Sequence, residues 1–160
     1  MVSCKEFKRS KRLLSRKIRF YYQKEQRYAY AICLKENNLP IDYVNIDLDD
    51  SHDLGYGLKK EYWHQGIVSE AVEAVIQQAK KDNLCYLTAT HDIKNNHSGN
   101  VMKKVGMHYC YSYKEQWMPK NRPVIFRMYQ INLDGKNGFI KNIGINMNIL
   151  LKKTYKGQVI

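Results

Sequence analysis

The chain has 160 residues, 44% of them hydrophobic and 12% aromatic, enough for a single domain that buries roughly two thirds of its unfolded surface. Twenty-seven Lys and Arg against 15 Asp and Glu give a formal charge of +12. The longest unbroken apolar run, Tyr28 to Leu34, is far short of the roughly 20 residues a membrane-spanning helix needs, and the basic start lacks the apolar centre of a signal peptide. A cytoplasmic protein without membrane attachment is expected.

The charge is uneven. Residues 1–27 carry ten Lys or Arg against two Glu, a net of +8, which leaves +4 for the rest. Phe7, Leu14, Ile18, Tyr21 and Tyr22 recur near multiples of 3.6, so this segment reads as an amphipathic helix over about 5–26 with a solvated basic face. A nucleic-acid arm is the competing reading, but no RNA-binding signature or aromatic-basic interleaving supports it. The cysteines, Cys4, Cys33, Cys85 and Cys110, are far apart, and three sit in apolar, strand-like runs. They read as buried reduced thiols. The five histidines have no metal-ligand spacing, so no metal is expected.

After the helix, YAYAICL (28–34) is rich in strand formers, KENNLP (35–40) is a hairpin turn, and IDYVNIDLD (41–49) alternates as a half-exposed strand does. DLGYGL (53–58) is a third strand, whose two glycines mark a bulge or a place where a ligand approaches the backbone. Val68, Ala71, Val72, Val75, Ile76 and Ala79 form the apolar stripe of a helix over 67–81. LCYLTAT (84–90) is a short buried strand, and 95–106 is a short helix stopped by Gly106. Two long strands, about 107–117 and 123–132, complete a mixed α/β sheet with a strand–helix–strand crossover at its middle. Residues 1–132 make one domain, and 133–160 form a C-terminal tail without clean periodicity.

The turn YWHQG (62–66) runs straight into the 67–81 helix with a lone glycine and no side-chain cap. The first amides of a helix have no internal partner and carry a partial positive charge, which suits a phosphate. One glycine in a turn is weak evidence, but here it follows a glycine-bearing strand and opens a helix.

Two blocks give the pattern a family likeness. LGYGLKKEYWHQGIVSEAVEAVI resembles the acetyl-CoA-binding segment of the GNAT N-acetyltransferases, and NNHSGNVMKKVGM resembles the N-x-x-S-G-x-V-M-x-K-x-G-M block of their RimJ/RimL-like branch. The likeness spans about residues 10–132. It implies a splayed, mostly antiparallel mixed β-sheet flanked by helices. Pantetheine would enter between strands 53–58 and 84–90, with main-chain groups near Leu58 pairing its amides. The diphosphate of acetyl-CoA would rest on the amides of His64, Gln65, Gly66, Ile67 and Val68. Asn95 matches the family's cofactor-contacting Asn, with Ser98 beside it, although a plain N-cap is the alternative for Asn95.

The implied reaction is direct attack of a primary amine, of a protein N-terminus or a small molecule, on the acetyl thioester. His52 falls near the position where some members carry a general-base Glu, and its imidazole chemistry suits neutral pH. A solvated strand end is the plainer reading of that residue. Glu115 could project into the acceptor cleft or simply face water. The family's general-acid Tyr is matched by Met102, which donates no proton, so Tyr109, Tyr111 or a water would have to serve. Val68 stands where Gly or Ala is usual, and His64 replaces a common Gly. The family's first strand and helix would have to precede residue 10, which leaves one acceptor wall to the tail or to the second subunit of a homodimer. A non-catalytic acyl-CoA-binding protein is the alternative function. Asp47, Asp49, Asp50 and Asp53 form the chain's acidic cluster and hint at a cationic acceptor.

Overall fold

The computed structural model describes residues 27–118 and 121–138. The expected helix over 5–26, the basic arm and residues 139–160 of the tail lie outside the described residues. Strand β1 (Arg27–Cys33) pairs antiparallel with β2 (Pro40–Asp47), and β2 pairs antiparallel with β3 (Leu54–Tyr56). The β1–β2 turn closes with Asn38 N donating to Leu34 O at 2.8 Å. Asn38 has φ of 52°, a left-handed conformation that Asn tolerates better than most side chains.

Helix α1 (Ile67–Lys81) follows, then β4 (Tyr86–Asp92), helix α2 (Asn96–Lys104), β5 (His108–Trp117) and β6 (Arg122–Asn132). A single 3-10 turn, Lys60–Tyr62, separates β3 from α1. The last strand inserts between its predecessors, so the second half of the sheet has the order β4-β6-β5, antiparallel throughout. That insertion makes β4 and β5 parallel, and both crossover helices then lie on one face of the sheet.

Helix α1 buries Val68, Val72, Val75, Ile76 and Ala79, the stripe its period requires, against Leu87 and Ala89 of β4 and Val44 and Ile46 of β2. Each fully buried Val or Ile contributes about 1.5–3 kcal/mol relative to exposure. The helix ends at Asp82, where Asn83 turns left-handed and Leu84 N donates to Ala79 O. That cap occupies Leu84, so β4 starts at Tyr86 rather than at 84. Helix α2 stops as expected at Gly106, at φ 86°, with Gly106 N donating to Lys103 O and Met107 N to Met102 O.

The cysteines correct an expectation. Cys33 and Cys85 are exposed, and Cys110 is half-buried, all as free thiols. Cys33 sits at an irregularity of β1, and Cys110 falls in the β5 bulge between Tyr109 and Tyr111. An extra residue in a strand escapes the in–out alternation by which burial was inferred.

The tail begins tied to the body. Leu133 N donates to Cys85 O at 2.8 Å, and the side chains of Gln130 and Asn132 donate to Gly138 O at 2.9 and 2.8 Å. Among the described residues no helix is long and apolar enough to cross a membrane.

Candidate active site

The two halves of the sheet meet at one point. Asp53 and Thr88 form an isolated parallel bridge, with Thr88 N donating to His52 O at 3.1 Å. Beyond this bridge the described residues show no further pairing between β3 and β4, and the strands part. Strand parity says which groups face the gap. Asp47 N donates to Asp53 O and Gly57 N to Tyr43 O, so Asp53, Gly55 and Gly57 spend their main-chain groups on β2, while those of Tyr56 and Leu58 point away from it. The same count along β4 turns the main-chain groups of Thr90 toward the gap. An extended amide-bearing chain can take the place of a strand there.

Leu58 is not wholly available. Its carbonyl accepts from Trp63 Nε1 at 2.8 Å because the 3-10 turn folds back onto β3. A carbonyl keeps a second lone pair, and the Leu58 amide has no acceptor among the described residues. Below the gap the Tyr56 hydroxyl donates to Ser98 O at 2.8 Å, tying β3 to the first turn of α2. Burial, the larger effect, pushes the Tyr56 phenol up to about 12.

Gly66 is the N-cap of α1 at φ 79° and ψ −7°, and no side chain among the described residues caps the helix. Its carbonyl accepts from Glu70 N at 3.0 Å, opening the helix ladder. The amides of residues 64–69 meet no acceptor among the described residues. His64 is left-handed too, at φ 62°, and successive amides converge in such turns to make an anion-binding concavity. A Cβ on Gly66 would meet nothing closer than Lys104 Nζ, at 4.0 Å. An ammonium group therefore lies beside the Gly66 turn. Val68 does not intrude on this turn: its side chain is buried in the core.

Helix α2 runs beside the turn. The His97 ring lies 5.6 Å from Trp63 and 5.1 Å, edge-on, from His64. Asn95 is the α2 N-cap, its side chain accepting from Ser98 N at 3.3 Å. The cap reading of Asn95 therefore describes its carboxamide oxygen, and its NH2 has no partner among the described residues.

The residues expected to transfer protons divide between the faces of the sheet. Directly opposed residues share a face, so Thr90, Met128 and Tyr111 line up on the face away from the helices, as do Asp92, Phe126 and Tyr113. Glu115 shares this second face with Tyr113, two residues away. His52 reaches it as well, packing at 4.8 Å on Tyr86, with Nδ1 buried and unpartnered among the described residues. Tyr113 stacks on Phe126 at 5.6 Å. Burial first, then the negative charges of Glu115 and Asp53, push its phenol up to about 12, while Thr90 beside it pulls the other way. Tyr109 is on the helix side instead, edge-on to Tyr129 at 5.8 Å, its hydroxyl 3.0 Å from Ser112 Oγ. The fold thus gathers His52 and Glu115 on one face and leaves Tyr109 on the other.

A gap between parallel strands opens beside an uncapped left-handed turn with a lysine near it, an arrangement that can take an extended chain and an anion. The family model described as acetyltransferase (GNAT) domain matches residues 5–108. The chain belongs to the GNAT acetyltransferases. Acetyl-CoA is accordingly its cosubstrate, and the residues present fit it.

Several solved structures share the fold. A GNAT-family acetyltransferase from Bacillus anthracis is 23% identical, with TM-score 0.59 over 66% of each chain. A ribosomal-protein-S5-alanine acetyltransferase from Vibrio fischeri is 19% identical, with TM-score 0.64 over 81% of this chain and 73% of that one. A spermidine N-acetyltransferase from Vibrio cholerae is 12% identical, with TM-score 0.62 over 76% and 75%. The chain thus spans about two thirds to three quarters of the length of these structures. A comparison with curated protein sequences gives no match.

Among the described residues no group of His, Cys, Asp and Glu could hold a metal ion. Sequence reasoning missed Tyr56, His97, Lys104 and Tyr113. His97 and Lys104 do lie inside the NNHSGNVMKK block, but only folding shows that they reach the 62–66 turn. Met102, the acid position by family likeness, is 2% exposed and belongs to the core.

Proposed function

We propose that the chain transfers the acetyl group of acetyl-CoA directly to a primary amine that approaches from the second face of the sheet. The observation that carries this is the wedge beyond the Asp53–Thr88 bridge, bounded by an uncapped helix on one side and by proton-transfer groups on the other. Acetyl-CoA supplies the activated acetyl thioester. The chain's own residues do the rest. The amides of His64, Gln65, Gly66, Ile67 and Val68, with Lys104, hold the diphosphate. Main-chain groups of Tyr56, Leu58 and Thr90 align the amide-bearing arm, and Asn95 and Ser98 border it at the start of α2. Fixing both reactants in one cleft accounts for much of such an enzyme's rate.

The incoming amine must lose a proton. His52 and Glu115 are the acceptors proposed for it, directly or through water. A phenol held near 12 keeps its proton throughout the neutral range, so Tyr113 serves as a hydrogen-bond donor to the departing CoA thiolate, which takes its proton from water, and not as a base. The Asp53 and Glu115 carboxylates favour an acceptor that arrives positively charged. Both a protein N-terminus and a small polyamine meet that description, and enzymes for each kind of acceptor share the fold. A homodimer would supply a further acceptor wall from its second subunit.

Thiol release from acetyl-CoA, followed over a panel of N-terminal peptides, polyamines and other small amines, tests the reading. Amine-dependent release with a matching N-acetyl product supports it. The buried Met102 at the acid position favours a second reading, an acyl-CoA-binding protein without turnover. Tight CoA binding in calorimetry with no release on any amine would establish that alternative.

A further inference from the structure

We infer that His64 and His97 act together as a proton-coupled grip on the cofactor's diphosphate, so that binding CoA draws protons onto this imidazole pair. The inference rests on the cofactor site proposed above and concerns what this chain adds to it. Three observations converge. The His64 and His97 rings lie 5.1 Å apart at the rim of the turn whose amides are unpartnered among the described residues. Trp63 backs His97 at 5.6 Å, so the ring is placed by packing on the turn. His97 and Lys104 are seven residues apart on α2, two helical turns, and so lie on the same face. That face runs along the turn from His64 to Gly66, where Lys104 Nζ closes the far end.

A diphosphate seated on the adjoining amides would place negative charge against both rings. It favours the charged form of any imidazole within a few ångströms, and imidazoles ordinarily titrate in the range where such a shift takes up a proton near neutrality. The other charged residues on the 3-10 turn, the first turn of α1 and α2 are Lys59, Lys60 and Glu61, Glu70, and Lys103 and Lys104. Glu70 faces Lys35 at 4.0 Å. Glu61 contributes its main-chain carbonyl, which accepts from the Gln65 side chain at 3.3 Å. Among these groups the imidazoles are the ones whose ordinary range falls near neutral pH.

The test is calorimetric titration of the full chain with CoA, in HEPES and in Tris, at pH values from 6 to 8.5. The heat difference between buffers counts protons taken up. The variants are His97→Asn, His64→Asn and the double variant; Asn tolerates the left-handed backbone at position 64. Comparing wild type with variants subtracts the titration of CoA's own phosphates. We expect the wild type to take up more protons than the double variant at pH 7. Its affinity advantage should be about 10-fold at pH 6 and shrink to within about 2-fold at pH 8.5. CoA binding with equal proton uptake in wild type and double variant, or with an affinity ratio independent of pH, overturns the inference and leaves the cofactor site standing. No CoA binding by the wild type at any pH overturns both.

Discussion

Gly99 lies in the second turn of α2, where alanine would ordinarily be an improvement. A solvent-facing Gly→Ala in a helix gains about 1 kcal/mol from reduced backbone entropy in the unfolded chain. Here the new Cβ would sit 2.7 Å from His91 Nε2 and 2.8 Å from His91 Cε1. The imidazole has little freedom to retreat. It is 4% exposed, its Nδ1 lies 2.8 Å from Asp92 O, and its face packs on Tyr129 at 5.5 Å. Overpacking of this kind costs about 1–3 kcal/mol. Two sub-contact distances against a pinned ring place it near the top of that range, for a net loss of about 2 kcal/mol. In a domain of this size that lowers Tm by about 4–8 °C.

The explanation predicts a change of sign. In a His91→Ala background the ring is gone and only the propensity gain survives, so Gly99→Ala should stabilise by about 1 kcal/mol. The coupling between the sites is then about 3 kcal/mol, at the upper end for contacting residues. Urea denaturation of the four proteins in the cycle measures it. If Gly99→Ala shifts stability by the same amount and sign in both backgrounds, the packing of α2 on β4 has been misread, and with it the placement of Asn95, His97 and Ser98.

The other predictions address the site and its surroundings. Gly66→Asp places a carboxylate about 5 Å from the proposed diphosphate, an opposition of about 2 kcal/mol at intermediate dielectric, so CoA affinity in calorimetry should fall roughly 30-fold. Gly66→Ala, with open space for its methyl, should cost about 1 kcal/mol of stability from its left-handed backbone. Tyr113→Phe should lower kcat about 10-fold with the CoA Kd unchanged, whereas Tyr109→Phe should stay within about 2-fold, since Tyr109 lies on the opposite face; equal effects would undo the assignment of faces. Tyr56 and Tyr113, both pushed up to about 12, bind their protons more tightly when folded. Their stabilising contribution is complete below pH 10 and drains away from pH 10 toward 12. Urea midpoints should therefore fall over that range, and the fall should flatten in the Tyr56→Phe, Tyr113→Phe double variant.

Much of the fold is legible because helices and strands leave local signatures. The apolar spacing from Val68 to Ala79 bounded α1 at Ile67 and Lys81, and Gly106 marked the stop after α2. The uncapped turn at Gly66 was equally legible, since a missing cap can be seen in four residues. Less legible was anything that depends on two distant segments meeting. The Cys33 and Cys110 side chains escaped the burial pattern through strand irregularities that composition does not encode. Tyr109 and Glu115 look interchangeable as residues of one strand. The extra residue at Cys110 decides which of them shares a face with Thr90.

From local chemistry alone the chain specifies its crossover helix, its uncapped turn at Gly66 and the two blocks by which its family is known. Tertiary structure alone brings His97 and Lys104 of α2 against the turn, ties Tyr56 to Ser98, and separates His52 and Glu115 from Tyr109. The reason is the range of the forces involved. Backbone propensity and capping act within a few residues. Which side chains share a cleft is fixed by strand order and register, and here by the insertion of β6 between β4 and β5, which satisfies hydrogen bonds across more than 30 positions of chain.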